Sequence, residues 1–138
     1  MEYGEIELGD HYTLQKTLTE DAVRQFADFS GDYNPVHLDD DYCRQKGMDG
    51  RIVHGMLVLS YLSALIGMYL PGKGSVWMSQ TIDFLAPAHI GDTLDISGEV
   101  VSKSEANALG LHIVKLRIQI RNQTGALLMK GHVAVAVK

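Results

Sequence analysis

What this chain lacks narrows its function before any motif is read. It has one cysteine, Cys43, so no disulfide can close within it, and neither a zinc site built on several thiolates nor an oxidising compartment is implied. Basic residues are few and scattered: 12 Lys and Arg stand against 17 Asp and Glu, for a net charge of −5. Nucleic acid is therefore not an expected partner, because phosphate recognition leans on clustered cations. The longest apolar run, residues 56–70, falls short of the ~20 residues that cross a bilayer. No basic segment leading into an apolar core marks a secretory leader, and repeats, linkers and low-complexity tracts are missing. The expectation is a cytoplasmic protein that does not enter a membrane.

What remains is enough for one domain spanning residues 1–138, with 46% hydrophobic residues to build its core. His11 to Leu18 alternates loosely and suits a first strand. Thr19, followed by Glu20 and Asp21, is a helix start, and Ala22, Val23, Phe26, Ala27 and Phe29 or Ser30 form a stripe that Gly31 ends. Asp39 to Lys46 places acids first and bases last, the pattern of a short exposed helix rather than a metal site. Met56 to Leu70 reads as a helix buried on all sides. After the Pro71–Gly74 turn the period changes to two: Val76 to Phe84, Thr93 to Val101, Leu109 to Ile120 and Ala126 to Val137 are strands. Four long strands after one buried helix predict an α+β domain, a long antiparallel sheet wrapped around that helix.

Chemistry concentrates between Phe29 and Ser60. Gly31, Asp32, Asn34 and Pro35 forbid a regular helix and predict a stiff loop that carries Asp32 and His37 five residues apart. A carboxylate and an imidazole aimed at one spot can share a water molecule. On spacing alone, a turn aspartate and a hydrogen-bonded loop histidine remain the commoner fates. Gly55 then opens the apolar helix, whose first turn has free N–H groups and a partial positive charge able to polarise a carbonyl oxygen. Ser60, about one and a half turns further on, reaches the same region or bonds back to its own helix. Asn34 reads as a residue that orients the loop, and His54 as a buried structural imidazole. No role is assigned to His11, His89, His112 or His132.

Ser30-Gly31-Asp32-Tyr33-Asn34-Pro35-Val36-His37, followed by Ile52-Val53-His54-Gly55-Met56-Leu57, resembles the signature of the MaoC-like (R)-specific enoyl-CoA hydratases of the hot-dog fold. Leu70 to Ser75 and Ile82 to Pro87 resemble the segments that follow in that family. The resemblance implies a hot-dog domain, a homodimer and reversible hydration of a trans-2-enoyl-CoA to the (3R)-hydroxyacyl-CoA. It further implies that Asp32 and His37 hold and deprotonate the water, that the Gly55 N–H binds the thioester oxygen, and that Ser60 stands near the site. No metal or organic cofactor is implied. Three alternatives stay open: a (3R)-hydroxyacyl-ACP dehydratase acting on a carrier-protein thioester, a thioesterase, and a non-catalytic acyl-CoA binding module. The hydratase-like loop argues against the second, and the intact Asp32, His37 and Gly55 against the third. Storage-polymer synthesis, β-oxidation and fatty-acid synthesis all use the hydration step, so the pathway is not read from the chain.

Overall fold

The apolar run becomes α4, Gly55–Met68, lying across the concave face of a five-stranded sheet. The computed structural model describes all residues, Met1–Lys138. The strands are β1 (His11–Thr17), β2 (Val76–Phe84), β3 (Thr93–Lys103), β4 (His112–Arg121) and β5 (Leu127–Val137), in the spatial order β1-β3-β4-β5-β2 with every pairing antiparallel. Alternation does what the sequence asked of it. Leu94, Ile96 and Val100 of β3, Val114, Leu116, Ile118 and Ile120 of β4, and Val133 and Val135 of β5 are buried with Val58, Leu62, Leu65 and Ile66 of α4 in one core. Burying each such side chain contributes ~1.5–3 kcal/mol, so the sheet and helix stabilise one another. Gly98 makes the approach possible, since a Cβ there would stand 3.2 Å from Leu65 Cδ2.

Helices fill the connection between β1 and α4. Helix α1, Glu20–Ser30, is capped by Thr19, whose hydroxyl accepts the Ala22 N–H at 3.1 Å, and stops at Gly31 in the left-handed region at φ 80°. Helix α2, Pro35–Leu38, and helix α3, Asp40–Gln45, are capped by Asn34 and Asp39. The Asp39–Asp41 acids have separate structural uses: a cap, an ion pair with Arg51 and an ion pair with Arg44. Arg51 is the clamp of this region. Its guanidinium grips Glu20 at the start of α1 through two nitrogens, at 2.5 and 3.1 Å, and reaches Asp40 of α3 at 3.4 Å.

Three expectations need correction. Helix α4 is not buried on all sides: Met56, 62% exposed, shares an exposed stripe with Ser60 and Ser63, and Met68 at the helix end is 70% exposed. Met56, Ser60 and Ser63 border an open apolar cavity with Trp77 and Gln80 of β2 instead of packing under another element. Along β2, the register shifts between Trp77 and Ser79, so the expected alternation from Val76 breaks, and Val76 and Met78 are left exposed. The α1 stripe stops short of Phe29, which is 92% exposed, because the chain core ends at Ala27.

Candidate active site

The loop leaving α1 is fixed by its own short side chains. The Ser30 hydroxyl donates to the Phe26 carbonyl at 2.6 Å and accepts the Asp32 N–H at 3.1 Å. Asp32 Oδ1 accepts the Asn34 N–H at 3.1 Å, and Asn34 Oδ1 accepts the Val36 N–H at 3.2 Å, two local turns of the kind Asx residues favour. The Asn34 backbone carbonyl also accepts the His37 N–H at 2.9 Å. With Oδ1 occupied, Asp32 keeps Oδ2 for other work. Tyr33 closes the loop over α1, donating to Asp28 at 2.8 Å, a hydrogen bond that raises its phenol above the usual 10.0.

His37 meets this carboxylate from α2. Its Nδ1 lies 2.8 Å from the Ile52 carbonyl, an oxygen that only accepts, so Nδ1 carries the proton and, in the neutral ring, Nε2 presents a lone pair. Nε2 and Asp32 Oδ2 are 3.8 Å apart. That gap is too wide for a direct hydrogen bond, yet one water donating ~2.8 Å bonds to both acceptors fits across it. The pair is placed for access: His37 is mostly buried while the Asp32 side chain is 49% exposed. Spacing alone leaves separate roles the commoner fates for these two residues, and the structure brings the two side chains together.

Beneath them is His54. Its ring is buried, stacks on His37 with centroids 3.8 Å apart at 27°, and meets Phe26 edge-on at 4.9 Å. Asp32, His37 and His54 hold donor atoms within 4.8 Å of one another. The two stacked ring planes, tilted by only 27°, do not converge at the ~2.1 Å of a metal–imidazole bond.

Gly55 follows His54 and begins α4, and no acceptor within the chain takes its N–H. The glycine leaves room for a ring: a Cβ there would lie 2.6 Å from Phe84 Cε1 at the end of β2, so the half-exposed Phe84 ring would have to shift. Phe84 was not singled out by the sequence, where it is one member of an alternating strand. Ser60 turns its hydroxyl to the Leu57 carbonyl at 2.5 Å, the self-bonded state common for helix serines. Its exposed side borders two apolar cavities, one of about 460 Å³ with Met56, Leu59 and Trp77, and one of about 480 Å³ with Phe29, Leu57 and Tyr61. Neither is lined by Asp32, His37 or Gly55. Phe26, which touches His54, lines both and is the link from the polar pair to apolar space. Burial pushes the Tyr61 phenol upward, so it stays a neutral wall.

The sheet curled about a central helix defines a hot-dog domain, here with an acid–imidazole pair beside the helix start. The chain belongs to the MaoC-like domain family, whose model matches residues 6–118. It is 36% identical over 130 residues to an (R)-specific enoyl-CoA hydratase of Aeromonas caviae, covering 94% of each chain. A mitochondrial 3-hydroxyacyl-[acyl-carrier-protein] dehydratase of Arabidopsis thaliana is 33% identical over 80% of this chain and 64% of its own. The solved structure of the unliganded R-hydratase PhaJ1 from Pseudomonas aeruginosa superposes with a TM-score of 0.89 at 34% identity, over 99% of this chain and 86% of that one.

Proposed function

We propose that this protein is an (R)-specific enoyl-CoA hydratase, a hydro-lyase adding water reversibly to trans-2-enoyl-CoA to give the (3R)-3-hydroxyacyl-CoA. The observation that carries the reading is the pair of acceptors, Asp32 Oδ2 and His37 Nε2, facing each other across a one-water gap with the far side of His37 fixed by Ile52. In the hydration direction the pair takes one proton from the water, and the hydroxyl oxygen bonds to the β-carbon. The π electrons move toward the thioester oxygen, which the unpartnered Gly55 N–H stabilises as an enolate. Collapse of the enolate then takes the proton from the pair onto the α-carbon. Asp32 and His37 act as one coupled unit in this scheme. Asn34 holds the loop's shape, and Ser60 lines the acyl side of the site.

The sequence similarity to the Aeromonas hydratase along nearly the full chain supports coenzyme A as carrier. The plant dehydratase relative is the reason to keep carrier-protein thioesters as the second reading, with the same residues. Incubating the protein with crotonyl-CoA and resolving the product by chiral chromatography tests the assignment: (3R)-3-hydroxybutyryl-CoA is expected, and a (3S) product would overturn it. Turnover of crotonyl-ACP alone would move the assignment to the second reading. We further propose a homodimer, since the exposed Met56 and Met68 of α4 and the exposed Val76 and Met78 leave an apolar face for a second copy. A cytoplasmic location is part of the same proposal.

A further inference from the structure

His54 is not used by the reaction as written, yet it touches every part of the site that the reaction does use. Its Nε2 lies 3.0 Å from the Asp32 backbone carbonyl. A carbonyl accepts and never donates, so the proton sits on Nε2. Nδ1 is then a bare lone pair, and it is buried with no hydrogen-bond partner. Leaving a polar atom in that state costs ~1–3 kcal/mol. An apolar residue of similar shape would avoid the cost, so packing alone does not account for an imidazole here. The remaining contacts show what the cost offsets. The ring face supports His37, and the residue's own carbonyl accepts the Leu57 and Val58 N–H groups at 3.1 and 3.3 Å, fixing the turn from which the Gly55 N–H projects.

We propose that His54 is a positioning residue: through its Nε2–H bond to the Asp32 carbonyl and its stack on His37, it ties the water-holding loop to the helix start that receives the thioester oxygen. This rests on the hydratase reading for its catalytic consequence, but the tautomer it requires is independent of any substrate. The two stacked rings carry opposite tautomers, Nδ1–H on His37 and Nε2–H on His54. Loss of the Nε2–H donor frees Asp32 to shift. Misplacement of a catalytic group by ~1 Å costs about 100-fold in rate.

Two substitutions separate donor from ring. His54→Phe keeps a flat ring against His37 and removes the donor, and His54→Gln keeps an N–H at the Nε2 reach and removes the ring. With crotonyl-CoA as substrate, His54→Phe is expected to lower kcat by about 30- to 100-fold with KM within about 3-fold. His54→Gln is expected to recover at least a third of the lost logarithm. Equal kcat for His54→Phe and wild type overturns the proposal, as does a His54→Gln variant no better than His54→Phe. If the variants do not fold, two-bond ¹⁵N–¹H correlation spectra of the wild-type protein decide: a protonated Nε2 with a bare Nδ1 on His54 supports it, and an Nδ1–H tautomer sinks it. A wild type that turns over no thioester would remove the hydratase reading and leave this spectroscopic test standing.

Discussion

At the residue scale, the site depends on which oxygen or nitrogen is already occupied. Asp32 commits Oδ1 to the Asn34 N–H, and His37 commits Nδ1 to Ile52, so each has one acceptor left and the two face each other. Asn34→Ala removes the side-chain cap of α2 while leaving the backbone bond to Asp32, and we expect kcat to fall more than KM rises, read from steady-state kinetics on crotonyl-CoA. Gly55→Ala drives a Cβ into the Phe84 ring at 2.6 Å. It should lower kcat, by up to ~100-fold where the helix start moves rather than the exposed Phe84 ring, and adding Phe84→Ala should restore a measurable part. No recovery in the double variant would show that Gly55 is glycine for the ligand's sake alone. The stiff loop carrying Asp32 and His37 was legible in the sequence from its turn-forming residues, whereas the pairing itself came from the family resemblance, because spacing alone favours a turn aspartate and a loop histidine. Phe84 was not legible, because alternation says which face a strand residue takes and nothing of which glycine it will meet across the fold.

At the element scale, Arg51 holds α1, α3 and the approach to α4 together. Its hydrogen bond to Glu20 holds that carboxyl below its usual 4.5 and raises the guanidinium further. A carboxyl depressed in the folded state stabilises fully at pH above its unfolded value of about 4.5, and the contribution fades as pH falls through the lowered value. Glu20 is 40% exposed, so solvent screens the pair and its worth is about 1 kcal/mol. Arg51→Ala should lower Tm by about 3–5 °C at neutral pH, with the gap from wild type narrowing below pH 4. A gap that widens in acid would contradict the assignment. The elements themselves were mostly readable: the Thr19 cap, the Gly31 stop and the strand alternations of β3 to β5 each carry local signals. The clamp was not, since residues 31 apart in sequence meet only after folding. The break in β2 also escaped, because a register shift leaves the alternating pattern of residue types intact.

At the scale of the whole molecule, the apolar run of α4 states more burial than one chain delivers. Hydropathy marks residues 56–68 as interior, and the single chain leaves Met56 and Met68 of α4 and Val76 and Met78 of β2 in solvent. Within one copy the expectation of a helix buried all round fails, and the homodimer proposed above is the assembly that covers this face. Sedimentation equilibrium should give twice the chain mass, and Met68→Glu, exposed in the single chain and so harmless to its folding, should shift the protein toward monomer. A wild type that sediments as monomer at micromolar concentration would contradict the second copy.

The central claim is that Asp32 and His37 together activate one water for addition to an enoyl thioester. The most direct measurement follows the loss of enoyl-thioester absorbance of crotonyl-CoA in wild type, Asp32→Ala and His37→Ala, with circular dichroism confirming that each is folded. The account predicts turnover by the wild type and a fall of ~10²–10⁴ in kcat for either variant. Folded variants that turn over at the wild-type rate would contradict it.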